Sequence, residues 1–138
     1  MSDVRILSAT CLCGQVAFQI EDSFLILGYC HCSECQKFSG SQCSAWGRIE
    51  RAKVSIQLGG SLIKHYQKNE TGRVAFCSHC GSSLYNEQIH EDFLGIRLGI
   101  LDDEPDAKPT LHVYCDSRAP WHEITDTLLQ FETVPGGN

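Results

Sequence analysis

Three short clusters of cysteines constrain this chain more than any other feature of its sequence. Seven of the nine cysteines fall in them, as Cys11-x-Cys13, Cys30-x-Cys32-x-x-Cys35 and Cys77-x-x-Cys80. Thiolates one or two residues apart can reach one tetrahedral metal centre, with metal–sulfur bonds of about 2.3 Å, without straining the backbone. The spacing therefore predicts a fold that is held together by bound metal.

Disulfides are the alternative explanation for so many cysteines. Nine is an odd number, and cysteines one residue apart are poorly placed to bridge each other, because a disulfide requires a particular Cα separation and Cβ direction. The segment MSDVRILSATC has no basic region followed by a long apolar run, so we expect no secretory signal. In the cytoplasm the thiols stay reduced, and we therefore predict a cytoplasmic, metal-binding protein.

Glycines separate the cysteines into two predicted zinc sites. Gly14 follows Cys13 and Gly81 follows Cys80, and glycine tolerates the positive φ angle of the turn that closes a zinc knuckle. The middle cluster lacks such a glycine. The predicted ligands of the closed, structural site are Cys11, Cys13, Cys77 and Cys80. Those of the second, open site are Cys30, Cys32 and Cys35.

The fourth ligand of the second site stays open at this point. Chemically able residues elsewhere in the chain are Cys43, Cys115, His31, His79 and His112. His31 stands between two ligands, where a side chain normally points away from the metal, and Cys43 lies in an apolar stretch typical of a core residue. Three protein ligands with a free position are typical of zinc that contacts substrate, so we favour an open site. Iron also binds thiolate clusters, but tetrahedral sites of this kind are usually zinc.

The rest of the pattern predicts a mainly β chain. Alternating or apolar runs favour strands over 15–20, 25–30, 43–49, 54–58, 62–67, 73–76, 93–99 and 111–114. One short helix is expected over 33–38, with Ser33 as its cap and Gly40 as its end. Gly59-Gly60 predicts a hairpin turn, and 134–138 a frayed tail. No linker divides the chain, so one domain over 1–138 is expected.

The charge and hydropathy patterns exclude two classes of partner. Seventeen acidic residues outnumber eleven basic ones, for a formal net charge of −6. Sequence-independent nucleic-acid binding needs a basic surface, which this chain lacks. The apolar runs are too short to span a bilayer. Lys37 or Arg48 could hold an anion near the open site. Equally, Lys37 could lie on the solvated face of the helix and Arg48 at a strand edge. Trp46, near Arg48 in the sequence, is explained by a position in the core.

Three segments together resemble the glutathione-dependent formaldehyde-activating enzyme (GFA) family, which includes centromere protein V-like members. They are CLCGQV at 11–16, CHCSECQKFSG at 30–40 and FCSHCGSSL at 76–84. The segments GILDD at 99–103, HVY at 112–114 and APWHEI at 119–124 resemble the C-terminal pattern of that family. The resemblance covers the chain from about residue 10 to about residue 124.

The resemblance implies a fold, two zinc ions and a reaction. It implies several small coiled antiparallel sheets, as in a zinc-containing chaperone of small GTPases, with the seven cysteines divided between a structural and a catalytic-type zinc site as above. The family name describes the condensation of formaldehyde with glutathione to S-hydroxymethylglutathione, a carbon–sulfur lyase reaction. Fold alone does not fix activity, and the sequence shows no obvious basic pocket for the two carboxylates of glutathione.

We therefore predict a zinc-dependent carbon–sulfur lyase or synthase that acts on a thiol–aldehyde adduct. Its partner would be a small thiol or thiol adduct, with neither nucleic acid nor membrane involved. No catalytic side chain is predicted. The alternative is a non-catalytic binding module in which both zinc ions only stabilise the fold.

Overall fold

The strands form two sheets in the computed structural model, which describes residues 4–136. The smaller sheet contains β1 (Ile6–Thr10), β2 (Ala17–Glu21) and β5 (Val54–Leu58). The larger sheet contains β3 (Ile26–Cys30), β4 (Ser44–Glu50), β6 (Ile63–Gln67), β7 (Gly72–Cys77), β8 (Ser83–Gln88), β9 (Phe93–Arg97), β10 (Pro109–Val113) and β11 (Leu129–Gln130). One α-helix among the described residues, α1 (Ser33–Ser39), follows β3.

The strand order of the two sheets is β1-β2-β5 and β11-β10-β3-β4-β9-β8-β7-β6. Neighbours are antiparallel except that β10 is parallel to both β3 and β11. The predicted mainly β fold with one short helix is confirmed. The single domain over 1–138 stays a prediction, and positions 137 and 138 of the predicted frayed tail lie outside the described residues. Within 4–136, no helix has the length and apolar character needed to cross a bilayer.

The smaller sheet packs against one face of the larger sheet. In β1 and β2 alternate residues are buried, as expected where one face of a strand contacts the core. The buried apolar residues of this core include Leu7, Ala9, Phe18 and Ile20 from the smaller sheet and Ile49, Leu84, Leu94 and Ile96 from the larger one. Each fully buried Leu, Ile or Phe contributes about 1.5–3 kcal/mol.

A buried ion-pair network crosses the larger sheet at β8. Glu87 is 3% exposed and accepts hydrogen bonds from the guanidinium groups of Arg51 and Arg73. Burial alone would raise the pKa of this carboxyl, but the two arginines outweigh it and hold the pKa below its usual 4.5. Glu87 is therefore an ionised carboxylate whose charge depends on both arginines.

The opposite face of the larger sheet carries the polar side chains that define the site. Directly paired residues of neighbouring strands point to the same face. The register pairs Trp46 of β4 with Arg97 of β9, and Asn86 of β8 with Gly95 of β9. It also pairs Cys30 of β3 with Ser44 of β4, two positions before Trp46. Since side chains alternate along a strand, all of these positions share one face.

The predicted hairpin at Gly59-Gly60 is wrong. The flanking strands β5 and β6 lie in different sheets and are not paired. Gly59 has φ 75°, and a Cβ atom there would lie 1.9 Å from the carbonyl oxygen of Gln15. The glycine is needed because the chain turns a tight corner between the sheets, continuing through a 3₁₀ turn at Gly60–Leu62.

The predicted cap of the helix is off by one residue. Cys32 is the N-cap, and its sulfur accepts a hydrogen bond from the backbone N–H of Cys35 at 3.3 Å. Gly40 ends the helix with φ 66°, as predicted. A thiolate thus takes the role that a serine hydroxyl usually has, which places two cysteines of the middle cluster on the first turn of α1.

Candidate metal centres

The four cysteines of the predicted closed site meet in one place. The thiol sulfurs of Cys11, Cys13, Cys77 and Cys80 all lie within 4.8 Å of one another. Two of the separations are 3.5 Å, between Cys11 and Cys13, and 3.9 Å, between Cys13 and Cys77. Four sulfurs at tetrahedral positions, each about 2.3 Å from a zinc ion, would be about 3.8 Å apart. The group, called here the four-cysteine site, therefore fits a zinc ion and could hold one.

Two tight turns shape the four-cysteine site. Gly14 and Gly81 have φ 77° and φ 81°, which confirms the predicted positive angles. Their backbone N–H groups donate to the carbonyl oxygens of Cys11 and Cys77, at 3.0 and 2.7 Å. The N–H of Val16 donates to the sulfur of Cys11 at 3.3 Å. These bonds orient the sulfurs of two distant chain segments toward one centre.

The three cysteines of the predicted open site form a second group, the three-cysteine site. The thiols of Cys30, Cys32 and Cys35 lie within 4.8 Å of one another. Hydrogen bonds from the thiols of Cys30 and Cys35 lower the pKa of Cys32 to about 2. The same exchange raises the pKa of Cys30. The backbone N–H of Cys35 also donates to the Cys32 sulfur and lowers its pKa further. The donor set consists of soft sulfur ligands close enough to share one ion, so this site also fits a zinc ion.

None of the alternative fourth ligands joins the three-cysteine site. Among residues 4–136, no Cys, His, Asp or Glu atom outside Cys30, Cys32 and Cys35 completes this group within the same distance. The residues considered were Cys43, Cys115, His31, His79 and His112. All seven predicted ligands thus lie in the two predicted groups, while their binding of zinc stays a prediction.

Two of those histidines belong instead to a hydrogen-bonded chain. The carboxylate of Asp126 is 3.0 Å from Nε2 of His112, whose Nδ1 is 2.8 Å from Nε2 of His31. His31 is completely buried, burial lowers its pKa, and its Nδ1 has no hydrogen-bond partner among the described residues. His112 also stacks on Tyr29 at 5.0 Å. This series of hydrogen bonds holds His31 in place between Cys30 and Cys32. The sequence did not predict the series, because Asp126 and His112 are far from His31 along the chain.

A cavity of about 230 Å³ opens beside the three-cysteine site. Residues along its wall include Cys30, Cys35, Trp46, Arg48, Asn86 and Arg97. It lies on the polar face of the larger sheet described above. Tyr114 also lines it, with φ 56°, a left-handed backbone that residues other than glycine adopt rarely and often near functional sites. Of the residues singled out from sequence near the open site, Trp46 and Arg48 line this cavity, whereas Lys37 does not.

Arg97 is the functional candidate that the sequence analysis missed. Arg97 is 6% exposed, and its Nη1 donates a hydrogen bond to Oδ1 of Asn86 at 2.9 Å. Its Nε has no hydrogen-bond partner among the described residues. The guanidinium carbon lies 5.3 Å from the ring centre of Phe38. An arginine inside the apolar run FLGIRLGI was the available signal.

The electrostatics of the cavity are set by Arg97 and the thiolates. Burial lowers the pKa of Arg97, and the negative charges of Cys35, Cys30 and Cys32 act in the opposite direction. An arginine stays charged in both cases. Arg48 is the second cation of the wall, with a side chain 42% exposed and 3.6 Å from a carboxylate oxygen of Glu91. The cavity wall thus contains two arginines, which the sequence did not show to lie close together.

Comparison with known proteins gives a family and a fold. The model of a family described as glutathione-dependent formaldehyde-activating enzyme matches residues 6–117. The crystal structure of a protein from Rhodobacter sphaeroides is similar, with a TM-score of 0.60 and 20% sequence identity over 72% of this chain and 91% of that one. At this identity the likeness concerns the fold alone. No curated protein matches the sequence significantly.

Proposed function

Because the chain belongs to the glutathione-dependent formaldehyde-activating enzyme family, we propose that it joins a thiol to an aldehyde, or reverses that reaction, in the cavity beside the three-cysteine site. The observation that carries the proposal is that Cys30 and Cys35 face a cavity which also holds a buried cation, Arg97. Thiol addition to an aldehyde needs an activated sulfur and a stabilised oxyanion, and both are favoured by such an arrangement.

Zinc would have a different role in each cysteine group. Cys30, Cys32 and Cys35 would hold a zinc ion, which would stabilise a substrate thiol in its thiolate form. The four-cysteine site would hold a second zinc ion that contributes only to folding. We propose these two zinc ions per chain, in a single cytoplasmic domain.

The proposed reaction creates one carbon–sulfur bond. The thiol sulfur bonds to the carbonyl carbon, the carbonyl π bond breaks, and the proton lost by the thiol is balanced by one gained by the new hydroxyl group. The positive charge of Arg97 stabilises negative charge on the sulfur and then on the oxygen. It does so strongly because its guanidinium is nearly excluded from water. Trp46 and Phe93 supply apolar wall that limits water in the cavity.

A non-catalytic binding module is the second candidate, and one observation favours it. Two glutamates line the cavity, Glu87 and Glu91, and both carboxylates are paired with arginines. Neither is free to act as a general base. If the protein only binds a thiol, the three-cysteine site and the cavity would serve recognition alone.

The exchange of ¹³C-formaldehyde with a panel of thiols, followed by NMR in the presence of the zinc-loaded chain, distinguishes these functions. The adduct forms without a catalyst, so the measured quantity is the acceleration of its formation and breakdown over buffer. We expect acceleration with the parent and with Cys43→Ser, a cysteine outside both sites, and none with Cys32→Ser. If no thiol in the panel, glutathione included, exchanges faster with the parent than in buffer, the lyase proposal fails and the binding module replaces it.

A further inference from the structure

Arg97 has an unsatisfied hydrogen-bond donor in the wall of the cavity. Asn86 accepts from one end of the guanidinium, while Nε is buried without a partner among the described residues. A buried donor on a charged group is costly when unpaired, and such groups normally have a partner in the functional state. No carboxylate of the described residues forms an ion pair with Arg97. The missing partner is therefore expected to come from a bound molecule.

The fold is arranged to hold this guanidinium in one orientation. Gly95 lies beneath the side chain of Asn86, and a Cβ atom at this position would be 2.3 Å from the oxygen that accepts from Arg97. Phe38 of α1 contacts the guanidinium from another side. A cation held this way loses little conformational entropy when it binds a planar anion, and a carboxylate matches the donor geometry of arginine.

Arg48 differs from Arg97 although both line the cavity. The side chain of Arg48 is 42% exposed, already pairs with Glu91, and lies 4.2 Å above the ring of Phe93. Exposed and paired, it has little attraction to spare for another anion. Arg97 is the cation whose charge faces the cavity without a carboxylate.

We propose that Arg97 is a specificity-determining residue that binds the carboxylate of a small thiol acid, whose sulfur reaches the three-cysteine site. This inference rests on the function proposed above and names its substrate class. Three thiolates and one Zn²⁺ would carry a net charge of −1, and the positive charge of Arg97 reduces the repulsion that this charge would exert on an entering carboxylate. The volume of about 230 Å³ is below the range of roughly 300–1,000 Å³ typical for larger ligands. It suits a mercapto acid of three or four carbons better than a tripeptide.

Thiol binding to the full chain loaded with cobalt tests the proposal. Sulfur-to-cobalt charge-transfer bands report each thiol that enters the site, so dissociation constants can be measured without turnover. The probes are 3-mercaptopropionate, its methyl ester, which lacks the charge, and glutathione. A charge-assisted hydrogen bond predicts that the acid binds the parent about tenfold to a hundredfold more tightly than the ester. The acid should also bind more tightly than glutathione.

Two variants assign the preference to one arginine. Arg97→Met keeps the apolar stem and should bring the acid-to-ester preference to about one, while Arg48→Met should retain at least tenfold. If Arg97→Met loses its cobalt, Arg97→Lys decides the question, because it keeps the charge but lacks the planar donor edge. A reduced preference in Arg97→Lys supports carboxylate binding, and an unchanged preference shows that Arg97 only balances the thiolates.

The outcomes separate this inference from the function it rests on. If acid and ester bind the parent equally, the carboxylate proposal is overturned while thiol entry stands. If glutathione binds more tightly than the mercapto acid, the size argument is wrong. If no thiol changes the spectrum, both this inference and thiol chemistry at the three-cysteine site are excluded.

Discussion

Removing one sulfur of the four-cysteine site should unfold much of the protein population. The sulfurs of Cys13 and Cys77 are 3.9 Å apart in space and 64 positions apart in sequence. By the chain-entropy relation for cross-links, closing a loop of this length restricts the unfolded chain by about 4 kcal/mol. Zinc binding in small domains contributes about 10–16 kcal/mol to folding. The 4 kcal/mol from loop closure is therefore a lower bound on the stability lost when the site no longer binds metal. Domains are stable by about 5–15 kcal/mol, and Cys80→Ser should therefore be marginal or unfolded.

Urea unfolding followed by circular dichroism measures this loss. With a slope of about 2 kcal/mol per molar urea, 4 kcal/mol moves the midpoint down by about 2 M. Cys43→Ser is the matched control, since Cys43 belongs to neither cysteine group, and its midpoint should stay near that of the parent. If Cys80→Ser unfolds cooperatively near the parent's midpoint, the four cysteines do not form a structural metal site.

Three further substitutions test other parts of the structure. Glu87→Gln should cost about 1.5–3 kcal/mol at pH 7, because it removes the charge of a buried carboxylate that accepts hydrogen bonds from two half-exposed arginines. Since the pKa of Glu87 is lowered by folding, this contribution to stability is complete above about pH 4.5 and is lost as the pH falls through the lowered pKa. The urea midpoint should therefore fall more steeply with acid in the parent than in the variant. Parallel curves of midpoint against pH would contradict the ion pairing. Gly59→Ala should destabilise by about 3 kcal/mol, whereas Gly99→Ala, where a Cβ meets no atom within 4 Å, should be near neutral in the same assay; equal midpoints would refute the corner argument. Asp126→Asn weakens the bond to His112 and should release the metal of the three-cysteine site to a chelator about tenfold faster, with the metal of the four-cysteine site unaffected. An unchanged rate would show that the two histidines do not support the three-cysteine site.

The metal groups could be predicted from sequence because their geometry is local. Residues one or two positions apart in a cluster must lie near each other in any fold, and Gly14 and Gly81 indicated which clusters share a turn type. The short helix was predictable for the same reason, since its end at Gly40 is a local conformational preference.

Features that depend on distant partners could not be predicted. The strands β1, β8 and β11 were missed, and β8 illustrates why: Asn86 and Glu87 are polar residues inside a strand. Both side chains accept hydrogen bonds from arginines of other elements, and no local pattern reveals these partners. Arg97 escaped notice for the same reason. The hairpin prediction failed because a Gly-Gly pair fits any tight corner, and only long-range packing decides which strands pair across it.

The distinction between a closed four-cysteine site and an open three-cysteine site is tested most directly by metal stoichiometry. Native mass spectrometry of the full chain, sampled during treatment with a mild chelator, counts the zinc ions that remain. The expected result is two zinc ions per chain, of which one leaves early while circular dichroism shows an intact fold, and a single zinc ion in Cys32→Ser. Release of both ions at one rate, or a parent that binds only one, would contradict the account.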